Sequence, residues 1–269
     1  MRPATIGPAT FFRRLLLSIV LLGLAVVGAG TATAQSDSAA LELLRKSEQL
    51  MRGTGTEGVY RVQIVRPEWQ RTLQLNSIDD AVNDRYRLEM LKPRKVKGTV
   101  FLKMDDRLSM YLPKLRREIA ISPAMMHDPW MGSDFNNQDL LESSSLLDRY
   151  EHRIVGREGE GESAVITIES TPKPGSAVSW MRLEQRFRAD GLPLEIQYHC
   201  KRDQRRRVLR FEQPKEVGGR VIPTRWVMQP LALPDQHTLI EVEEIRFDVQ
   251  PDAALFKVGE SPDKGRGNK

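Results

Sequence analysis

Residues 58–65 read GVYRVQIV, and this stretch decides the fold class. Tyr60, Val62 and Ile64 alternate with Arg61 and Gln63, the period of a strand with one apolar and one polar face. The pattern continues outward. Leu73 and Leu75 alternate with Thr72 and Gln74, and Tyr86, Leu88 and Met90 with Arg85, Arg87 and Glu89. Then come Val100, Leu102 and Met104, followed by Leu108, Met110 and Leu112, and by Ile119 with Ile121. Arg66-Pro67, Asp79-Asp80, Lys92-Pro93 and Leu112-Pro113-Lys114 break the runs. Asp105-Asp106 stands where a tight hairpin would join two strands. Later runs cover residues 150–157, 163–170, 181–189, 192–201, 206–214, 220–231 and 237–249. Residues 239–244 alternate less cleanly, and a bulge there would move Ile245 and Phe247 to the other register. Half-polar strands at short spacing predict a mainly β (α+β) fold: one curved antiparallel sheet forming a half-open barrel.

Two segments break the strand period. Residues 36–52 carry Leu41, Leu44, Leu50 and Met51 at helical spacing, with Ser36 or Asp37 to cap the helix and Gly53 and Gly55 to stop it. Such a helix is marginal alone and needs a surface to cover. Residues 125–142, MMHDPWMGSDFNNQDLLE, interrupt the sheet with an apolar insert. Gly132-Ser133-Asp134 can cap a short helix there running through Leu140, Leu141 and Leu146. Trp130, Met131 and Phe135 are costly to expose and must pack on something. Helix and insert together are expected to cover an apolar cavity on the concave face. Methionine and leucine give a surface that adapts to flexible acyl chains. The candidate lipid-binding set is Leu73, Leu75, Leu102, Met104 and Met110 from the strands; Met125, Met126, Trp130, Met131 and Phe135 from the insert; and Ile196 and Tyr198 beyond it.

The N-terminus reads as a targeting segment. Arg13 and Arg14 precede an apolar run from Leu15 to Val27, and Ala32-Thr33-Ala34 is a small-residue cleavage site. The run is short for a membrane span, so cleavage is expected before Gln35 and the protein is expected in the periplasm. The expected organisation is a signal peptide over residues 1–34, one lipid-binding domain over 35–258, and a disordered tail over 259–269. The chain has 41 basic and 36 acidic residues. Loss of Arg2, Arg13 and Arg14 brings it close to neutral, so its basicity is no argument for nucleic acid. Basic residues cluster at Lys92, Arg94, Lys95 and Lys97, at Lys114, Arg116 and Arg117, and at Lys201, Arg202, Arg205, Arg206 and Arg207. Each reads as a solvated turn or strand end, or as a surface for an anionic partner.

Catalytic chemistry has little to stand on. Cys200 is the single cysteine, which excludes an intramolecular disulfide. Its place in line with Leu194, Ile196 and Tyr198 predicts a buried, inert thiol. The four histidines, His127, His152, His199 and His237, show no metal spacing. His199, in line with Glu195 and Gln197, reads as a solvated residue. His127 beside Asp128 could be an acid–base or metal pair, but supporting ligands are missing. No cofactor, metal site or enzymatic activity is expected.

The order of motifs carries a resemblance. A helix and a meander beginning at GVYRVQIV lead to MYLPKLRREIAIS and WMGSDFNNQDLL, then to GLPLEIQY, RVIPTRWVM and FDVQPDAALFKV. Over roughly residues 37–258 this resembles the outer-membrane lipoprotein-sorting protein family, a branch related to the periplasmic lipoprotein carrier LolA. The resemblance implies a half-open β-barrel with helices as a lid over an apolar cavity, and binding of lipoprotein acyl chains or another lipid without catalysis. It implies as partners an inner-membrane transporter, of the resistance-nodulation-division type, and an outer-membrane acceptor. The alternative it carries is an envelope-stress or signalling accessory protein that senses lipid or lipoprotein through the same fold.

Overall fold

A computed structural model describes residues 37–142, 146–176, 178–200 and 204–257. The expected signal peptide, its cleavage site and the C-terminal tail lie outside these residues, as do Lys201 and Arg202. One antiparallel sheet carries the described fold. Its strands are β1 (Gly55–Val65), β2 (Gln70–Asp80), β3 (Arg85–Lys92), β4 (Val100–Met104), β5 (Arg107–Leu112), β6 (Arg117–Ala120) and β7 (Tyr150–Glu158). They continue as β8 (Val165–Pro172), β9 (Arg182–Arg188), β10 (Pro193–His199), β11 (Arg205–Val217), β12 (Arg220–Pro230) and β13 (His237–Phe247). The order across the sheet is β6-β5-β4-β3-β2-β1-β13-β12-β11-β10-β9-β8-β7. Two meanders of hairpins are therefore joined through β1 and β13, and the sheet stays open between β6 and β7.

Alternation sorts the two faces. Tyr60, Val62 and Ile64 are buried on the inner face with Leu73, Leu75 and Met90, while Arg61 reaches Glu243 at 2.8 Å on the outer face. The bulge expected near the end of the chain is present. Tyr60 faces Val242 but Val59 faces Glu244, leaving Glu243 as the extra residue. Ile240 and Val242 before it, and Ile245 and Phe247 after it, thereby all reach the same inner cluster.

The helices lie on the inner face. Residues 37–51 form α1. Ala40, Leu43 and Leu44 of α1 pack on Ala164, Ile166, Ile168 and Phe187, and Leu50 and Met51 pack on the cluster around Tyr60. Gly53, at φ 58°, ends the helix; a Cβ there would lie 2.1 Å from Asp248 Oδ1. The segment between β6 and β7 runs from one margin of the sheet to the other. It contains a 3-10 turn at Trp130–Gly132, α2 (Asn137–Glu142) and α3 (Leu146–Arg149). No helix among the described residues is long and apolar enough to cross a membrane.

Several sequence expectations give way to tertiary packing. β4 is covered on both sides: Phe101 joins Trp130 inside, while Leu102 and Met104 pack outside against Leu255 and Phe256 of a C-terminal 3-10 turn. α2 is capped by Asn136, whose Oδ1 accepts from Asp139 N at 2.8 Å while Asp139 Oδ2 accepts from Asn136 N at 2.7 Å. This reciprocal pair is a capping box, and it leaves Gly132-Ser133-Asp134 free for other contacts. His199 is buried, not solvated, with Arg182 3.1 Å from its Nδ1. Cys200 is half-buried, with Arg206 Nε 3.0 Å from its sulfur. Arg207 has left the surface cluster altogether and is 6% exposed.

Candidate functional site

α1, the insert and the inner face enclose a cavity of about 450 Å³, inside the range of sites that bury a small ligand. Leu44, Ser47 and Met51 of α1 form one wall. Trp130, Phe135, Leu140, Leu146 and Leu147 of the insert form a second. The sheet supplies Tyr60, Val62, Leu75 and Leu88 from the first meander, and Phe187, Ile196, Leu209, Phe211, Trp226 and Ile240 from the second. Trp226, within RVIPTRWVM, is an aromatic hub of this wall: its ring lies 6.0 Å from Tyr60 and 6.1 Å from Phe211. Its indole N–H donates to Pro223 O at 2.9 Å, so the polar atom is satisfied within its own strand.

The insert is fastened at several points. The Trp130 ring meets Phe101 edge-on at 5.9 Å. Met131 takes φ 53° and Gly132 φ 80°, and both carbonyls are held: Met131 O accepts from Arg71 at 3.1 Å and Gly132 O from Arg66 at 2.9 Å. Asp134 accepts from Arg66 at 3.1 Å and from the Thr238 hydroxyl at 2.6 Å, and its own N–H donates back to Thr238 Oγ1 at 2.9 Å. Arg207 donates to Asp134 O at 2.8 Å and pairs with Asp139. Its guanidinium carbon lies 4.4 Å from the centre of the Trp180 ring and 4.5 Å from that of Tyr198. Charge pairing and two aromatic faces compensate the burial of this arginine.

One region of the lining is polar. Ser77, Asp79, Glu48 and Arg52 reach the cavity there, and Arg52 holds Asp79 in a fork at 2.7 and 2.9 Å. Elsewhere Glu142 also lines the cavity and is 4% exposed. Burial raises its carboxyl above the ordinary value, against hydrogen bonds from Gln138 and Ser179 N. Tyr86 Oη, Trp130 Nε1 and Trp180 Nε1 are buried with no hydrogen-bond partner among the described residues, and all three side chains line the cavity.

Five of the sequence-selected residues line the cavity: Leu75, Trp130, Phe135, Ile196 and Tyr198. Leu73 is fully buried beneath them and Met131 packs against the same cluster. Met110, Met125 and Met126 form a neighbouring cluster with Tyr86 and Leu108. Leu102 and Met104 face away. Sequence reasoning left out Leu44, Met51, Leu88, Phe211 and Trp226, although the stripe of α1 and the motif around Trp226 pointed to them.

No group of three His, Cys, Asp or Glu able to hold a metal occurs among the described residues, and His127 and Asp128 are exposed on their loop. His152 Nδ1 lies 2.7 Å from Ser170 Oγ. That serine is fully buried and also accepts from Gln185 at 2.7 Å. Burial holds the His152 pKa below its ordinary value. The ring's other nitrogen faces Leu147 O at 3.4 Å, so His152, Ser170 and Gln185 form a buried polar network in the wall of the cavity.

An open antiparallel half-barrel with helices laid over an inner apolar cavity is the fold of the outer-membrane lipoprotein-sorting proteins and the LolA superfamily. A family model with the description "Uncharacterized protein" matches residues 82–260, and the chain belongs to that family. Three solved structures bear on the fold. A DUF1329 family protein from Desulfovibrio piger is 22% identical, with 82% of this chain and 97% of that chain covered at a TM-score of 0.72. A putative outer membrane lipoprotein-sorting protein domain from Vibrio parahaemolyticus is 19% identical, with 82% and 97% covered at 0.70. A LolA superfamily protein from Nitrosomonas europaea is 14% identical, with 81% and 97% covered at 0.67. No protein of curated function matches the chain in sequence. The resemblance read from the motif order is borne out for the fold.

Proposed function

We propose that the protein is a periplasmic carrier without catalytic activity. It takes acyl chains of a lipoprotein, or of another lipid, into the cavity and moves them between the membranes of the envelope. An inner-membrane transporter of the resistance-nodulation-division type would load it and an outer-membrane acceptor would unload it. The observation that carries this reading is the cavity of about 450 Å³, walled by aliphatic and aromatic side chains beneath two separate covers. Each CH₂ that leaves water for such a space contributes about 0.8 kcal/mol, so a chain of ordinary length is held without any directional bond. The orphaned donors of Tyr86, Trp130 and Trp180 favour a cargo that carries acceptors, such as the carbonyls of acyl esters, since a buried donor without a partner is costly.

The test is native mass spectrometry of the protein purified from the envelope, followed by extraction of bound lipid. The wild-type protein is expected to carry an acyl lipid. Phe135→Asp places a charge on the cavity wall and is expected to abolish lipid co-purification while the circular dichroism spectrum is retained. Lipid content unchanged in Phe135→Asp would overturn the assignment of the cavity.

A further inference from the structure

Four connections leave the same end of eight consecutive strands, β6 to β1 and then β13 and β12. They are the β1–β2, β3–β4, β5–β6 and β12–β13 hairpin loops. Adjacent strands keep them in a row. Gly98 of one loop lies against Pro113 of the next, and Arg66 of a third donates to His237 O at the start of β13. Trp69 is 42% exposed, Leu115 61%, Leu231 37% and Leu233 47%. Between these apolar tips stand Lys92, Arg94, Lys95 and Lys97 on one loop, and Lys114, Arg116 and Arg117 on the neighbouring one, all exposed. None of these seven forms an ion pair among the described residues.

The opposite end of the same sheet differs. Four of its carboxylates are matched locally: Asp80 with Arg85 at 2.8 Å, Asp84 with Lys103 at 2.6 Å, and Asp106 and Asp248 with Arg149 and Arg220. The opposite end also exposes Val82 and Arg107, so the contrast is one of density: seven cations without an ion pair among the described residues and four exposed apolar tips share the loop end.

From this we propose that the four loops form a docking surface for an anionic phospholipid bilayer. Basic side chains would lie at the headgroup level, where negative surface potential attracts them. The tips of Trp69, Leu115 and Leu233 would enter the boundary of the acyl region, which suits an aromatic or aliphatic group flanked by cations. A purely electrostatic partner, such as an acidic protein surface, has no use for four apolar tips kept in water. The place also has a consequence for the insert. Arg66 and Arg71 stack on Trp69, with 5.7 and 5.0 Å from guanidinium carbon to ring centre, and the same two arginines hold the Met131 and Gly132 carbonyls. Docking therefore sets the bilayer against the residues that pin one cover of the cavity. This inference stands apart from the cargo reading, because vesicle association and cavity occupancy are measured separately.

The experiment is vesicle flotation of the full chain. Vesicles of phosphatidylcholine alone are compared with vesicles that also contain phosphatidylglycerol, at low and high salt. Binding to the anionic vesicles is expected to be at least tenfold tighter, and to weaken with salt. A charge variant, Lys92→Glu with Arg94→Glu, Lys95→Glu and Lys97→Glu, is expected to lose that preference. A tip variant, Trp69→Ser with Leu115→Ser and Leu233→Ser, is expected to bind severalfold more weakly even at low salt. All these side chains are exposed, so circular dichroism should match the wild type. Phe135→Asp is expected to keep vesicle binding. Equal binding to both vesicle types, binding unchanged in both loop variants, or loss of binding in Phe135→Asp would overturn the docking surface. So would capture of acidic proteins with no vesicle binding.

Discussion

α1 and the insert cover the same cavity but are held in different ways. The first half of α1 rests on aliphatic packing through Ala40, Leu43 and Leu44. Its polar fastenings are concentrated toward its C-terminal end, where Arg52 grips Asp79 and Arg220 donates to Gln49 O at 2.6 Å. Lys46 adds one exposed bond to Ala189 O at 3.1 Å. The insert is secured at both of its aromatic anchors: Trp130 sits in the cluster of the first meander and Phe135 against that of the second. Arg66–Asp134 reinforces the span between them, and Arg207–Asp139 holds the helix that follows. The difference teaches that covers of similar apolarity need not open alike. A helix held by packing and one polar end can be released from its free end. A segment pinned on both sides must give way as a unit.

Three substitutions bear on this contrast, taken from the largest effect to the smallest. Trp130→Ala leaves a hole among Phe101, Leu73 and Met131 and is expected to cost about 4 kcal/mol in urea denaturation, as for other buried aromatics. A small loss would mean that the insert does not depend on its first anchor. Asp139→Ala leaves Arg207 charged and buried without its partner and removes half of the capping box. It is expected to cost about 3 kcal/mol. Asp79→Ala, the matching cut beneath the end of α1, leaves Arg52 with Glu48 at 2.7 Å and is expected to cost about 2 kcal/mol, in the range of hydrogen bonds to a charged group. Equal losses in the two variants, measured side by side, would end the distinction between the covers.

The smallest effect concerns pH. Burial raises the Glu142 carboxyl above 4.5, despite the bonds from Gln138 and Ser179. A raised folded value means that the native state binds more protons than the unfolded chain between the two values. Stability is therefore retained below the ordinary carboxylate range and falls as pH rises through the raised value. Glu142→Gln is expected to remove that fall. Urea midpoints of both proteins, measured below and above the window, check the sign.

Much of the sheet was legible because its information is local. The alternation in β1, β2, β3 and β9 names the inner face residue by residue, and the Asp105-Asp106 hairpin and the bulge beside Glu243 follow from the same pattern. What was not legible depends on distant partners. Leu102 looked inward by period, yet residues near position 255 cover the outer side of β4 as well, so parity alone could not choose a face. Arg207 looked like one more surface cation, since nothing nearby in sequence announces Asp139. The candidate site shows the same division. Trp130 and Phe135 could be picked from their own loop, where exposure would be too costly. Leu44 and Met51 stood on the stripe of a helix expected to cover that cavity and were passed over, because a stripe shows which face is covered and not which of its residues reach the space beneath. The cap of α2 was readable and was missed: Asn136 with Asp139 is a local signal, and Gly132-Ser133-Asp134 drew attention away from it.

β1 and β13 lie side by side in the middle of the sheet, with Val62 opposite Ile240, although they are the first and last strands made. Every other pairing joins neighbours in the chain and can form as soon as a hairpin emerges. This one must close a loop that holds almost the whole protein, and long-range closure is slow. Until β13 arrives, each meander presents a bare strand to its surroundings, with unpaired peptide groups that invite pairing with another chain. The last strand to appear is thus the one that makes the earlier ones safe, and a chain cut short before residue 237 is expected to aggregate rather than rest as half a barrel.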